Sequence, residues 1–311
     1  MKGFRPQKIA IVGAGAIGAY YGCLLARVGH EVHFLLRGDF DVVSREGFHV
    51  RTRETQFHLH PVHAHADVDD IGFCDLVIIA IKTSNNAALA QLLPPLEAPG
   101  HTIFLTLQNG MGNVETLARL FPPGQIVAGL CFTCINRTAP GVIENYHAGR
   151  IQFADATGGP ARAHTHAVAE MFAAAGVASK AVDSLERALW LKLCWNVPFN
   201  GLAIAGGGIT TDRILASPPL RDLARALMHE VQEAAAAHGV EIPANHVAAQ
   251  FSLTEGMGAY KPSSLIDFVS GRPVEISAIW GEPLRRGQAK GVDMGRLACL
   301  HSLLRHMVTS R

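Results

Sequence analysis

Lys192, Asn196 and Asn200 recur at every fourth position through Trp190-Leu191-Lys192-Leu193-Cys194-Trp195-Asn196-Val197-Pro198-Phe199-Asn200-Gly201, where most of the intervening side chains are large and apolar. On an α-helix this spacing lines up one cation and two amides in a narrow stripe. Unpaired burial of such groups costs several kcal/mol, so the stripe has to meet partners or a ligand. The chemistry it suits is reduction of a carbonyl. As hydride reaches the carbon, negative charge builds on oxygen, and a nearby ammonium both stabilises that charge and supplies the proton. An ordinary lysine, with a pKa of about 10.4, is a reluctant donor, and burial that lowers it would help. The plain alternative is a wet helix face, with Pro198 able to kink the helix.

Further polar groups fall where an apolar residue would be cheaper. Lys82 closes the strand-like run ending Ile81-Lys82-Thr83, and Asn109 follows another in Leu107-Gln108-Asn109-Gly110-Met111-Gly112. Both stand at carboxyl ends of strands, the edge over which ligands lie in open parallel sheets. A surface lysine and an Asn-Gly turn are the simpler readings. Near the carboxyl end, Lys261-Pro262-Ser263-Ser264 and Gly271-Arg272-Pro273-Val274-Glu275 add hydroxyls and a carboxylate. By themselves these residues could merely cap or start helices.

The element that would hold a cofactor for such a reaction lies near the start of the chain. Lys8 to Val12 reads as a buried strand, Gly13-Ala14-Gly15-Ala16-Ile17-Gly18 follows, and a small-residue helix continues through Ala19, Gly22 and Ala26. This is G-x-G-x-x-G in its strand-turn-helix setting. Gly13 permits the tight turn, Gly15 lets a pyrophosphate approach the main chain, and Gly18 lets the helix pack on the sheet. The helix N–H groups, including those of Ala16 and Ile17, then hold the phosphate charge. The second strand, Glu31 to Leu36, leads into Arg37, where an acidic residue would bind an adenine-ribose 2′-hydroxyl. A guanidinium pairs instead with a 2′-phosphate, which favours NADPH over NADH. Asp39 dissents, because a carboxylate taking the ribose would favour NADH.

Strand and helix signals alternate through the first half, with strands at Asp75 to Ile81 and Thr102 to Leu107 and a helix near Asn86 to Leu93. The pattern predicts an α/β, doubly wound parallel sheet flanked by helices. From about Ser184 apolar residues fall at helical spacing, so residues 1–183 are expected to form a Rossmann domain and 184–311 an all-helical one. The clearest helix starts at Ser217-Pro218 and stops at Gly239, with others expected over Pro243 to Thr254, Ile276 to Gln288 and Gly295 to Met307.

The chain has 311 residues, 49% hydrophobic and 17% charged, which fits a globular protein of one large domain or two and excludes disorder, collagen and coiled coil. Lys plus Arg number 27 against 26 for Asp plus Glu, so no basic field favours nucleic acid or an anionic membrane. Apolar runs such as Leu76 to Ile81 fall far short of the roughly 20 residues of a membrane helix. Lys2 and Arg5 are followed by no long apolar core, so no secretory signal is expected and the chain reads as cytoplasmic. The six cysteines suit reduced thiols, and the lone Cys131-x-x-Cys134 lies in a strand-like stretch rather than at a helix start. His58, His60, His63 and His65 alternate in a Pro-broken segment and read as a wet strand face, so no metal site is expected.

Together these segments resemble the ketopantoate reductase (2-dehydropantoate 2-reductase) family through nearly the whole chain. Gly13 to Gly18, Lys82, Asn109 to Gly112, Lys192 with Asn196 and Asn200, and Lys261-Pro262-Ser263 leading to Glu275 stand in the family's order. The resemblance implies NADPH-dependent reduction of a 2-keto acid, above all 2-dehydropantoate to pantoate in pantothenate biosynthesis. It also implies a helical domain of the 6-phosphogluconate-dehydrogenase-like type, with the site in the cleft beside the Rossmann domain. By that similarity Lys192 is the general acid, Glu275 holds a polar group of the substrate, and Asn196, Asn200 and Ser263 bind it. Lys82 would touch the coenzyme, and Asn109 would lie beside the nicotinamide ribose and the substrate. A homodimer is compatible with the resemblance.

Two segments depart from the family. Its usual Ile-Asp-x-Ile-Asn-Gly is Ile276-Ser277-Ala278-Ile279-Trp280-Gly281 here, and Gly201 follows Asn200 where proline is common. A Trp280 facing the cleft would add apolar surface and suit a bulkier acid. That leaves two alternatives: a D-2-hydroxyacid dehydrogenase for branched or aromatic 2-keto acids, and an NADPH-sensing protein that does no chemistry.

Overall fold

In the computed structural model, residues 7–310 are described, so Lys2 and Arg5 lie outside the described residues. The chain falls into two compact units. One comprises residues 1–108 and 113–185, the other residues 109–112 and 186–311.

The first unit opens with β1 (Lys8–Val12), α1 (Ala16–Arg27) and β2 (Glu31–Leu35), followed by α2 (Phe40–Glu46), β3 (Phe48–Thr52), β4 (Gln56–Leu59) and β5 (His63–His65). Next come β6 (Leu76–Ile79), a 3₁₀ stretch at Thr83–Ala88, α3 (Leu89–Leu92), β7 (Ile103–Thr106) and α4 (Asn113–Leu117). The unit closes with β8 (Ile126–Ala139), β9 (Val142–Asp155), α5 (Ala163–Ala174) and β10 (Ser179–Ala181). The strands form one sheet in the order β4-β3-β9-β8-β7-β6-β1-β2-β5, with β10 beside β9. From β8 through β7, β6, β1 and β2 to β5 every pair is parallel. Apart from Lys8, the central strands β1 and β6 are apolar and buried, as a sheet covered on both faces requires.

The sheet is mixed rather than wholly parallel, which corrects the expectation from strand–helix alternation. β8 and β9, each 14 residues long, pair antiparallel, as do β3 and β4. Only Pro140 and Gly141 join β8 to β9, and so short a link forces an antiparallel return. Gly141 has φ +69°, a conformation that side chains disfavour. The helix expected over Asn86 to Leu93 is instead the 3₁₀ stretch followed by the four-residue α3.

The second unit is helical: α6 (Leu185–Ala205), α7 (Thr211–Ala216), α8 (Pro218–Ala237), α9 (His246–Glu255), α10 (Ser263–Val269), α11 (Glu282–Ala289) and α12 (Gly295–Thr309). Its core collects Trp190, Phe199, Leu227, Val231, Trp280, Leu297 and Leu304. On α8 the buried Ala224, Leu227, Met228, Val231 and Ala235 make one apolar face, with Ser217 at the N-cap and Pro218 at the first turn. The segment expected to be a single helix from Ile276 begins with a π-helical turn, Ser277–Gly281, before α11. Residues 109–112 follow β7 in sequence yet group with this unit, because Met111 is buried in its core and donates its N–H to the Ala278 carbonyl at 2.9 Å.

Among the described residues no helix is long and apolar enough to cross a membrane, and no cluster of three or more His, Cys, Asp or Glu could hold a metal ion. All six cysteines are free thiols.

Candidate active site

The parallel order β7-β6-β1-β2 brings the carboxyl ends of four strands to one edge, and the glycine turn, Arg37, Lys82 and Gln108 all follow those ends. Gly13 has φ +102°, and a Cβ there would lie 2.5 Å from the Ile81 nitrogen. At Gly18 a Cβ would lie 2.3 Å from the Gly13 carbonyl oxygen. Both glycines are therefore fixed by the fold. Gly15, by contrast, would meet nothing within 4 Å, so its backbone faces open space. It is the N-cap of α1, and the first helix bond returns from the Ala19 N–H to the Gly15 carbonyl at 2.9 Å. The N–H groups of Ala16, Ile17 and Gly18 thus precede the helix's own ladder, the arrangement by which a helix N-terminus can hold a phosphate. These residues fit a dinucleotide.

Beyond β2, Arg37 is exposed and Asp39 is buried. The Asp39 carboxylate is engaged by Arg137 of β8, so the two residues that argued for opposite coenzymes have different fates. Lys82 is half-buried at the N-cap of the 3₁₀ stretch. Gln108 fastens this edge by donating to the Ile81 carbonyl at 2.9 Å and to Asn86 Oδ1 at 2.7 Å.

In the helical unit α6 runs without a break through Pro198 and carries the polar stripe. Lys192 is half-buried, while Asn196 and Asn200 are buried. Lys192 Nζ donates to Asn109 Oδ1 at 2.8 Å, which brings together two of the expected residues from segments far apart in sequence. Asn200 Oδ1 accepts the Ser264 N–H at 3.0 Å, tying α6 to the start of α10. Ser263, at the first position of that helix, is exposed, and Glu275, just before the π-helical turn, is buried. Cys194 lies on the same helix, but it is buried, and burial pushes its thiol up to about 12, away from the thiolate form.

Trp280 does not line an open site. It is fully buried, and its indole N–H donates to the Val197 carbonyl at 2.9 Å. A Cβ on Gly201 would stand 2.9 Å from Trp280 Nε1 and 2.7 Å from Leu300 Cδ2. The departures at Gly201 and Trp280 are thus one packing arrangement, in which the missing side chain at 201 makes room for the indole. With Trp280 in the core, the structural ground for a bulkier acid falls away. Arg137 escapes a reading of the chain because nothing local marks it: its partner lies 98 residues away.

A Rossmann unit with an open glycine turn, joined to a helical unit in which a lysine is hydrogen-bonded to an amide, defines a nicotinamide-dinucleotide-dependent oxidoreductase. The model of the ketopantoate reductase PanE/ApbA family matches residues 9–158, and the model of its C-terminal part matches residues 184–308. The chain belongs to the ketopantoate reductase family. It is 35% identical over 305 residues to the 2-dehydropantoate 2-reductase of a Nostoc species, covering 97% of this chain and 95% of that one. It also superposes on the crystal structure of 2-dehydropantoate 2-reductase from Geobacter metallireducens with TM-score 0.92 and 41% identity, covering 96% and 99% of the two chains. D-mandelate dehydrogenase, solved with NADH and anilino(oxo)acetate, shares the fold at TM-score 0.89 and 22% identity, over 97% and 98% of the two chains.

Proposed function

We propose that this chain reduces 2-dehydropantoate to pantoate with NADPH, with Lys192 as the general acid. The observation that carries the reading is the Lys192–Asn109 hydrogen bond of 2.8 Å on a helix whose other polar positions, Asn196 and Asn200, are buried. Bound coenzyme supplies the hydride. Lys192 Nζ holds the proton that passes to the carbonyl oxygen as charge develops there. Asn109 fixes the ammonium through its amide oxygen and belongs beside the nicotinamide ribose. With its own oxygen committed to Ser264, Asn200 would contact the substrate through its amide NH₂. Asn196 and Ser263 add donors for the carboxylate, and Glu275 accepts from a substrate hydroxyl.

The coenzyme is held by Gly13, Gly15, Ala16, Ile17 and Gly18, with Lys82 and Asn109 against it. Exposed Arg37 beside a neutralised Asp39 supports NADPH over NADH. The reading places the enzyme in the cytoplasm, without nucleic-acid or membrane partners, and is compatible with a homodimer. Oxidation of NADPH in the presence of 2-dehydropantoate, 2-ketoisovalerate or benzoylformate tests it. The first acid should be turned over best, and Lys192→Met should lower kcat by about 10²–10⁴-fold while leaving NADPH affinity unchanged. Protein that binds NADPH yet oxidises it with none of the three acids would end the proposal.

A further inference from the structure

The geometry points to Arg137 as the positioning residue that sets coenzyme choice: it holds the Asp39 carboxylate in an ion pair and leaves Arg37 as the group that meets the adenine ribose. The inference deepens the NADPH reading and rests on it. After the second strand of a dinucleotide-binding sheet, a carboxylate can accept hydrogen bonds from a ribose 2′-hydroxyl and repel a 2′-phosphate. Asp39 is such a carboxylate, four residues beyond the end of β2. Its side chain is only 9% exposed and is paired with the guanidinium of Arg137.

The orientation of Asp39 is unusual for its place. It is the N-cap residue of α2, where an aspartate ordinarily accepts N–H groups of the first helical turn. Here the side chain makes no cap hydrogen bond and engages Arg137 instead. Arg137 is itself exposed, its side chain 38% accessible, but its backbone is held in the sheet. It lies in β8 opposite Ile143 of β9, beside the hairpin turn at Pro140 and Gly141. That turn is packed on α2: a Cβ on Gly141 would come within 2.9 Å of the Gly47 carbonyl oxygen and 3.5 Å of Val43 Cγ2. The Gly141 carbonyl also accepts the His49 N–H at 2.8 Å. The hairpin turn thus rests on the later part of α2 and its C-cap, and Arg137, three residues before the turn's Pro140, reaches back to Asp39 at the helix start. Asp39 is neutralised by a residue distant in sequence, while Arg37, two residues before it, remains exposed.

The test is the ratio of kcat/KM with NADPH to kcat/KM with NADH, measured with 2-dehydropantoate. Wild type should prefer NADPH. Arg137→Leu, which keeps an apolar stem and removes the charge, should lower the ratio at least tenfold, chiefly through KM for the coenzyme, and Arg137→Lys should keep it. Asp39→Asn should leave the preference for NADPH intact, and Arg137→Leu with Asp39→Asn should return the ratio to within about threefold of wild type, as non-additivity between partners requires. If Arg137→Leu does not fold, Arg137→Gln gives the same comparison, and the double variant carries no buried unpaired charge. A role confined to stability would lower activity with both coenzymes alike. That result, an unmoved ratio, or failure of the double variant to restore it overturns the role of Arg137 while leaving the NADPH reading standing. A wild-type preference for NADH overturns the coenzyme reading and this inference with it.

Discussion

Replacing Gly201 by alanine tests whether the departures at Gly201 and Trp280 are coupled through packing. In a helix interior alanine is favoured over glycine by about 1 kcal/mol. Against that, the new methyl would sit 2.9 Å from Trp280 Nε1 and 2.7 Å from Leu300 Cδ2, and overpacking of this kind costs about 1–3 kcal/mol. Gly201→Ala should therefore be destabilising by about 1 kcal/mol. Trp280→Phe removes the indole nitrogen and its hydrogen bond to the Val197 carbonyl, at a cost of about 1–3 kcal/mol for the buried acceptor. In that background the closest rigid neighbour is gone and only the flexible end of Leu300 must move. Gly201→Ala should then be neutral or stabilising, a coupling of about 1 kcal/mol or more. Urea unfolding followed by tryptophan fluorescence is well matched to the question. The three tryptophans, Trp190, Trp195 and Trp280, all lie in the helical unit, and the first two remain as reporters in every variant. Effects that add to within about 0.5 kcal/mol would refute the exchange.

Gly18→Ala should cost stability as well as coenzyme affinity, since its Cβ would meet the Gly13 backbone at 2.3 Å, whereas Gly15→Ala should keep its Tm and lose only affinity. Coenzyme titration alongside thermal melting separates the two. Asp155 should carry acid sensitivity. Burial pushes its carboxyl up, but the Arg162 N–H, the Thr165 hydroxyl and the Arg162 guanidinium outweigh this and hold it below its ordinary 3.8. Its contribution is complete above that value and is lost as pH falls through the lower, folded one. Asp155→Asn should cost about 1–3 kcal/mol at neutral pH, since Arg162 is exposed enough to stay solvated, with the difference from wild type shrinking below pH 3.8 in pH-dependent unfolding. Among the thiols, exposed Cys299 should react first with a maleimide, while Cys74 and Cys194, pushed up by burial to about 11 and about 12, stay unlabelled in folded protein, as mass spectrometry would report.

What can be read directly from the chain is whatever local spacing determines. The strand–turn–helix at Lys8 to Arg27 follows from apolar β residues, glycines at set intervals and small helix formers, and its outline is legible without coordinates. The same holds for α8, whose Ser217-Pro218 start and Gly239 stop are local signals. The stripe of Lys192, Asn196 and Asn200 is equally a matter of helical period. Contacts between distant segments are not. The antiparallel return of β8 onto β9 is hidden because strand direction depends on a two-residue link rather than on apolar content. Trp280 looks like a candidate for the substrate side because sequence says nothing of which way an indole points, and its glycine partner lies 79 residues earlier. Asn200 reads as a ligand-binding amide, yet its oxygen serves the α6–α10 junction. Asp39 reads as a contender for the ribose until a strand from the far side of the sheet order supplies its counter-ion.

The four residues from Asn109 to Gly112 have a consequence for how the protein can be dissected. Severing the chain ahead of α6 would not liberate a self-sufficient helical fragment. Such a truncation would lack the Asn109 amide that receives the Lys192 ammonium and the Met111 side chain that plugs the helical interior. The polypeptide enters the helical unit twice, and the first brief visit supplies parts that the second cannot replace.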